Sequence, residues 1–324
     1  MNNYLGHPSQ LSGVEEVILA KGKGKGMTLL EVRNGKGLAF TLSADRAMDL
    51  SRVTLKGDNF GYFSPCGYVA PQFYDGRGNG FLKSFTAGFL TTCGLTAVGS
   101  PCTDNGEELP LHGTISNTPC EQYNYSETEE EIIIRAYVRD ASLFSHQLLL
   151  EREYRCSKQE NKLTLCDKIK NIGSQDAPLE VLYHCNIGYP LLSEHTVLSI
   201  PAEKTAPRNE HAKTGLADCL TMEKPQRGYE EMCYYHTLSK GLISVYNPDI
   251  QKELLLSFDP SELPYFTEWK MMGEHEYVLG IEPGNCLPDG RDVMREKGIL
   301  ETLSPGAEKV HHLTFEFLER KSLC

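Results

Sequence analysis

The chain has 324 residues, 40% of them hydrophobic and 23% charged, with a formal net charge of −12. These proportions exclude a disordered chain, and the acidic balance argues against non-specific binding to nucleic acid or an anionic membrane. They leave an uncharged partner such as a sugar open.

Short strands dominate the pattern. Residues 15–19, 27–32 and 38–42 are the early candidates, each bounded by Gly, Pro, Asn or Asp. The run Lys21-Gly22-Lys23-Gly24-Lys25-Gly26 has no phosphate-loop spacing and reads as a hairpin turn. Residues 47–53 are expected to form a turn or two of helix. From 57 to 119 the chain is dense in Gly, Pro, Asn and aromatics, a long loop region of the kind that often carries function. Rings set among small residues there suit a sugar cleft, and they equally suit loop packing. Strands follow at 131–138, 147–155 and 162–170, the last with a clean two-residue alternation, then at 179–184, 242–246, 253–258, 277–282 and 310–317. Residues 292–297 are the second short helix. With 29 Gly and 17 Pro as turn formers, the reading is all-β, an antiparallel sandwich or barrel. No linker or repeat divides the chain, so one domain over residues 1–324 is expected.

The 11 cysteines are scattered singly, with no Cys-x-x-Cys pair, so zinc ribbons and thioredoxin-like sites are disfavoured and reduced thiols expected. Residues 1–7 lack a charged start leading into an apolar core. No run approaches the roughly 18 apolar residues that cross a bilayer. A cytoplasmic protein without membrane contact is the expectation.

Four places could carry chemistry. His112, in Leu111-His112-Gly113, follows an apolar Pro-containing turn. His184 ends an apolar strand in Tyr183-His184-Cys185-Asn186, where a half-buried imidazole can be tuned to serve as an acid. Glu282 closes an apolar strand in Gly280-Ile281-Glu282-Pro283-Gly284-Asn285, a good position for a general base. Arg46, in a turn beside Asp45 and Asp49, can donate several hydrogen bonds to a polyhydroxy ligand, or form an ion pair. A surface loop histidine, a satisfied core histidine and a strand-end salt bridge are the bland readings of the first three. Asn186 and Lys270, neighbours of His184 and of the single Trp269, join the binding candidates. No His-x-x-x-His pair, Gly-x-Ser-x-Gly elbow or dinucleotide fingerprint is present, so neither metal nor nucleotide cofactor is expected.

Taken in order, Arg46, Leu-His-Gly at His112, Tyr-His-x-Asn at His184 and Gly-Ile-Glu-Pro-Gly-Asn at Glu282 resemble the aldose 1-epimerase (galactose mutarotase-like) superfamily, and most of all a bacterial branch of it. The likeness runs over about residues 38–317. It implies a β-supersandwich of large antiparallel sheets and a mutarotase without cofactor, acting on a small-molecule sugar. It further implies that His184 is the acid on the ring oxygen and Glu282 the base on the anomeric hydroxyl, with His112 and Arg46 holding substrate. The chain departs from the family at Thr114, where a second Gly is usual, and at Pro283-Gly284-Asn285, where Thr-Gln is usual after the Glu. The family's sugar-binding Asp is unaligned; Glu231 is the candidate, with Asp259 second. A carbohydrate-binding protein on the same fold is the alternative. A lyase or glycosidase ranks last, for want of a clear second carboxylate. A homo-oligomer is compatible with this reading.

Overall fold

The computed structural model describes residues 3–320. Three antiparallel sheets share one apolar core that runs from Leu30 to Phe317. The eight-stranded sheet is ordered Gln122–Glu127, Glu131–Ala141, Gln147–Ser157, Lys162–Asn171, Glu308–Glu319, Lys252–Phe258, Leu242–Asn247, Val197–Ser199. Its long strands alternate buried and half-buried residues, as in Lys162–Asn171, because one face packs inward and the other meets solvent. His311 and His312 illustrate the rule: the first is fully buried, the second exposed.

The seven-stranded sheet runs Ala202–Pro207, Met232–Leu238, Tyr265–Gly273, Glu276–Gly284, Ala177–Ile187, Glu301–Leu303, and Leu90–Leu95 also pairs with Ala177–Ile187. Its central strands are buried on both faces. One face joins the common core, and the other is roofed by the loops of residues 78–112. A five-stranded sheet from Gly13–Ile18 to Asp58–Asn59 completes the sandwich, and residues 21–26 turn between its first two strands.

Several expectations change. Residues 47–53 are not helical. Ala47 and Met48 take left-handed φ values of 49° and 59° in a tight turn, and Asp49–Leu55 is a strand. Asp49 is drawn inward there by Arg152 and Thr92. The second helix forms as Arg291–Glu296. Strands Leu90–Leu95, Met232–Leu238 and Tyr265–Gly273 carry small or mixed polar and aromatic residues that hide the two-residue period. The ten cysteines among the described residues are unpaired, and Cys324 lies outside them. No helix among the described residues is long and apolar enough to cross a membrane.

Candidate active site

Strand alternation decides which side chains meet. In Ala177–Ile187, Val181, Tyr183 and Cys185 enter the common core, so His184 faces the other way. In Glu276–Gly284, Leu279 and Ile281 are core and Glu282 is not; in Tyr265–Gly273, Phe266 is core while Thr267 and Trp269 are not. His184, Glu282, Thr267 and Trp269 all line a cavity of about 420 Å³. The register set by the Leu182–Gly284 and Cys185–Ile281 pairs places His184 across from Glu282, and Glu282 pairs with Thr267 on the next strand. The row His184, Glu282, Thr267 therefore crosses three neighbouring strands.

His184 Nε2 stands 3.2 Å from Glu282 Oε1. The approach is not aligned as a hydrogen bond, and Oε1 has no partner in the protein. Gly280 makes room for this carboxylate. It pairs with Trp269, and a Cβ on it would strike Glu282 Oε1 and come within 2.9 Å of Trp269 Cβ.

The roof comes from the loop region. Asn79, Phe81 and Leu82 of the short helical segment Gly78–Lys83 line the cavity with Phe85, Ser100 and His112. His112 is held in the left-handed region at φ 58°, its N–H donating to Gly99 O and its carbonyl accepting from Gly94 N. Gly113 follows at φ +70°, where a Cβ would collide with the carbonyls of Gly94 and Ala97. The His-Gly pair thus meets a steric need. The rings pack edge-on, with His112 and His184 centroids 5.6 Å apart and Trp269 and Phe85 at 5.2 and 5.5 Å from His184.

Burial governs the charges. It pushes the His112 imidazole down to about 4, with the Arg208 cation adding to the effect. His184 is held well below the ordinary histidine range by burial and then by His112. Glu282 is held well above the carboxylate range by burial and then by the Glu231 charge, against a smaller pull from Arg208. A buried carboxyl and a buried imidazole with displaced affinities can keep one proton between them over a wide pH span and pass it to a ligand.

Glu231 accepts a 2.6 Å hydrogen bond from Trp269 Nε1 and lines the cavity, as does His112. Four other binding candidates do not line it. Lys270 follows Trp269 and so points to the opposite face, where its Nζ donates to Thr221 O at 2.6 Å and meets Asp218 O and Glu223. Asn186 turns its amide back on His184 O. Arg46 is tied inside the protein by the turn before Asp49–Leu55. Its Nη1 donates to Val69 O, and burial, opposed by Asp49, lowers its pKa to about 10. Asp259 caps a turn by accepting from Ser261 N, away from the cavity.

The cation that does line the cavity is Arg208, just after the edge strand Ala202–Pro207. Its Nη2 donates to Ser100 Oγ and Pro288 O at 2.8 and 3.0 Å, and its Nε lies 3.4 Å from Asp289. Nothing in its local sequence marks it. Among the described residues, no group of three or more His, Cys, Asp or Glu could hold a metal ion.

Comparison with solved structures gives a consistent fold. A Klebsiella pneumoniae protein provisionally named aldose 1-epimerase is 29% identical, with a TM-score of 0.89 over 94% of this chain and 83% of that one. A galactose mutarotase-like protein from Clostridium acetobutylicum is 13% identical, with a TM-score of 0.72 over 96% of this chain and all of that one. Galactose 1-epimerase from Lactobacillus acidophilus is 14% identical, with a TM-score of 0.65 over 96% and 100%. The chain has the galactose mutarotase-like fold that its sequence predicts. The family model for a domain of unknown function, DUF4432, matches residues 24–317. No curated protein matches.

Proposed function

The chain belongs to the DUF4432 family, and from that starting point we propose that it is an aldose 1-epimerase-like mutarotase, interconverting the anomers of an aldose in the cavity above the seven-stranded sheet. The observation that carries this is the 3.2 Å approach of His184 Nε2 to Glu282 Oε1 within a cavity walled by Trp269, Phe81 and Phe85. Opening a hemiacetal takes a proton from O1 and puts one on O5, two oxygens bonded to the same carbon. An acid and a base in contact can address both in one encounter, and each is worth roughly 10²–10⁴-fold in rate.

Before a sugar binds, the pair keeps its proton on Glu282. Sugar hydroxyls donating to the carboxylate favour its ionised form, and the proton crosses to His184. Glu282 then takes the O1 proton as His184 protonates O5, and the C1–O5 bond breaks. The aldehyde turns about C1–C2. Closure on the other face returns both protons and leaves the opposite anomer. Aromatic walls pack on the apolar face of the ring, while His112, Glu231 and Arg208 take hydroxyls at its edge.

The pair works while it holds one proton. Below the lowered affinity of His184 both groups are protonated and no base is left. Above the raised affinity of Glu282 neither carries a proton and no acid is left. Activity is expected to be flat across neutral pH, with the two limbs belonging to the pair as a whole. Arg208→Met removes the cation that favours the Glu282 carboxylate, so the alkaline limb is expected to move to higher pH. A downward shift would contradict the assignment.

Gly280→Ala is expected to unseat the carboxylate and lower kcat on the order of 10²-fold, with a smaller change in KM. Added to Glu282→Gln, it should cost little more; an equal further loss would mean a general structural defect. Polarimetry of freshly dissolved glucose, galactose and other aldoses tests the function itself. Faster anomer exchange supports it. Exchange at the spontaneous rate for every sugar, together with a sugar-induced rise in melting temperature, would favour the carbohydrate-binding alternative.

A further inference from the structure

Thr267 takes no part in the proton transfer proposed above, yet it occupies the next place in the catalytic row. It pairs directly with Glu282, lines the cavity, and is 1% exposed. Its Oγ1 has no hydrogen-bond partner in the protein. A buried hydroxyl left unpaired is destabilising, and valine would fill the same shape in a strand without that cost. Facing the cavity, this hydroxyl is open to a bound molecule.

The order of the row says which group completes it. If His184 meets O5 and Glu282 meets O1, the sugar's reacting carbon lies over the boundary between Ala177–Ile187 and Glu276–Gly284. Continuing from O5 past O1, the next oxygen of an aldose is O2. Continuing from His184 past Glu282, the next side chain of the sheet is Thr267. Resting on the mutarotase reading, we infer that the Thr267 hydroxyl hydrogen-bonds the sugar 2-hydroxyl and makes the site selective for aldoses with a free 2-hydroxyl over their 2-deoxy analogues. The contact also has a use within the reaction. The aldehyde turns about C1–C2 between opening and closure, and a fixed O2 holds C2 still while C1 rotates. Thr267 thereby contributes to kcat as well as to binding.

The test compares D-glucose with 2-deoxy-D-glucose, and D-galactose with 2-deoxy-D-galactose, each corrected for its spontaneous exchange. The wild type is expected to favour the parent sugar in kcat/KM by at least about 10-fold, since a site built to bond a hydroxyl rejects the analogue lacking it. Thr267→Val should lower kcat/KM for the parent by a similar factor and for the 2-deoxy sugar by no more than about twofold, so the preference collapses. Thr267→Ser, which keeps the hydroxyl, should retain it. Melting temperatures separate these effects from misfolding. A wild type that handles parent and 2-deoxy sugars alike, or a Thr267→Val variant that keeps the preference or slows both sugars equally, overturns the inference while leaving the mutarotase reading intact. If the wild type accelerates none of the four sugars, the mutarotase reading fails for them and the inference falls with it.

Discussion

Glu282→Gln is expected to slow anomer exchange by at least about 10²-fold while the cavity still binds sugar. The substitution changes little in shape. The amide can occupy the space over Gly280 beside Trp269, and no other side chain need move. What it removes is proton chemistry. Glutamine cannot accept the O1 proton, and the neighbouring carboxylate, Glu231, is engaged by the Trp269 indole. Sugar hydroxyls can still bond to Glu231, His112 and Arg208, so affinity should change far less than rate. A loss confined to KM would mean that Glu282 only binds. Rates equal to wild type would remove it from the chemistry altogether.

Arg152→Met is expected to have the largest effect on stability, about 3–5 kcal/mol. The Arg152 and Asp167 side chains are fully buried and Asp49 is nearly so. The guanidinium donates to Asp49 Oδ1 at 2.7 Å, to Asp167 Oδ1 and Oδ2 at 2.8 and 2.6 Å, and to Thr92 Oγ1 at 2.7 Å. Tyr183, next to His184, donates to the same Asp167 carboxylate at 2.9 Å. Removing the cation leaves two carboxylates in the core with nothing to neutralise them. Burial already raises the Asp49 carboxyl against the pull of Arg152, and without that pull it rises further. A carboxyl raised in the folded state destabilises as pH climbs above its unfolded value. The deficit should therefore be largest at neutral pH and shrink as pH falls toward the ordinary carboxylate range. Urea unfolding of wild type and variant across pH measures this. A variant as stable as wild type at pH 7 would show that the network contributes nothing net.

The legible part of this protein is what local chemistry writes into short stretches. Strand 162–170 alternates in the sequence and alternates in burial. His184 and Glu282 also left local marks, since each ends an apolar run in the sequence, although the strands themselves continue past them to Ile187 and Gly284. What stayed hidden depended on distant partners. Residues 47–53 looked helical because the tie of Asp49 to Arg152 lies about a hundred residues away. Arg208 reaches the cavity through Ser100 and Pro288, which no nearby pattern announces. Lys270 could have been excluded on strand parity once Trp269 was placed on the cavity face. That required recognising Tyr265–Gly273 as a strand, and its mixture of Phe, Thr, Glu, Trp and Lys shows no single apolar face because the buried face itself carries Glu268, paired with His236, and Lys270, bonded to Thr221 O. Arg46 carried the family resemblance but sits inside the protein, bonded to the Val69 carbonyl.

Two-dimensional exchange NMR on an equilibrated aldose tests the central claim most directly, because it reads anomer interconversion with no net reaction. With the wild-type protein at neutral pH, cross-peaks linking the anomeric protons are predicted for at least one aldose at mixing times where the free sugar shows none. With equimolar Glu282→Gln they should vanish. Cross-peaks of equal strength in both samples, or in neither, would contradict a mutarotase that works through His184 and Glu282.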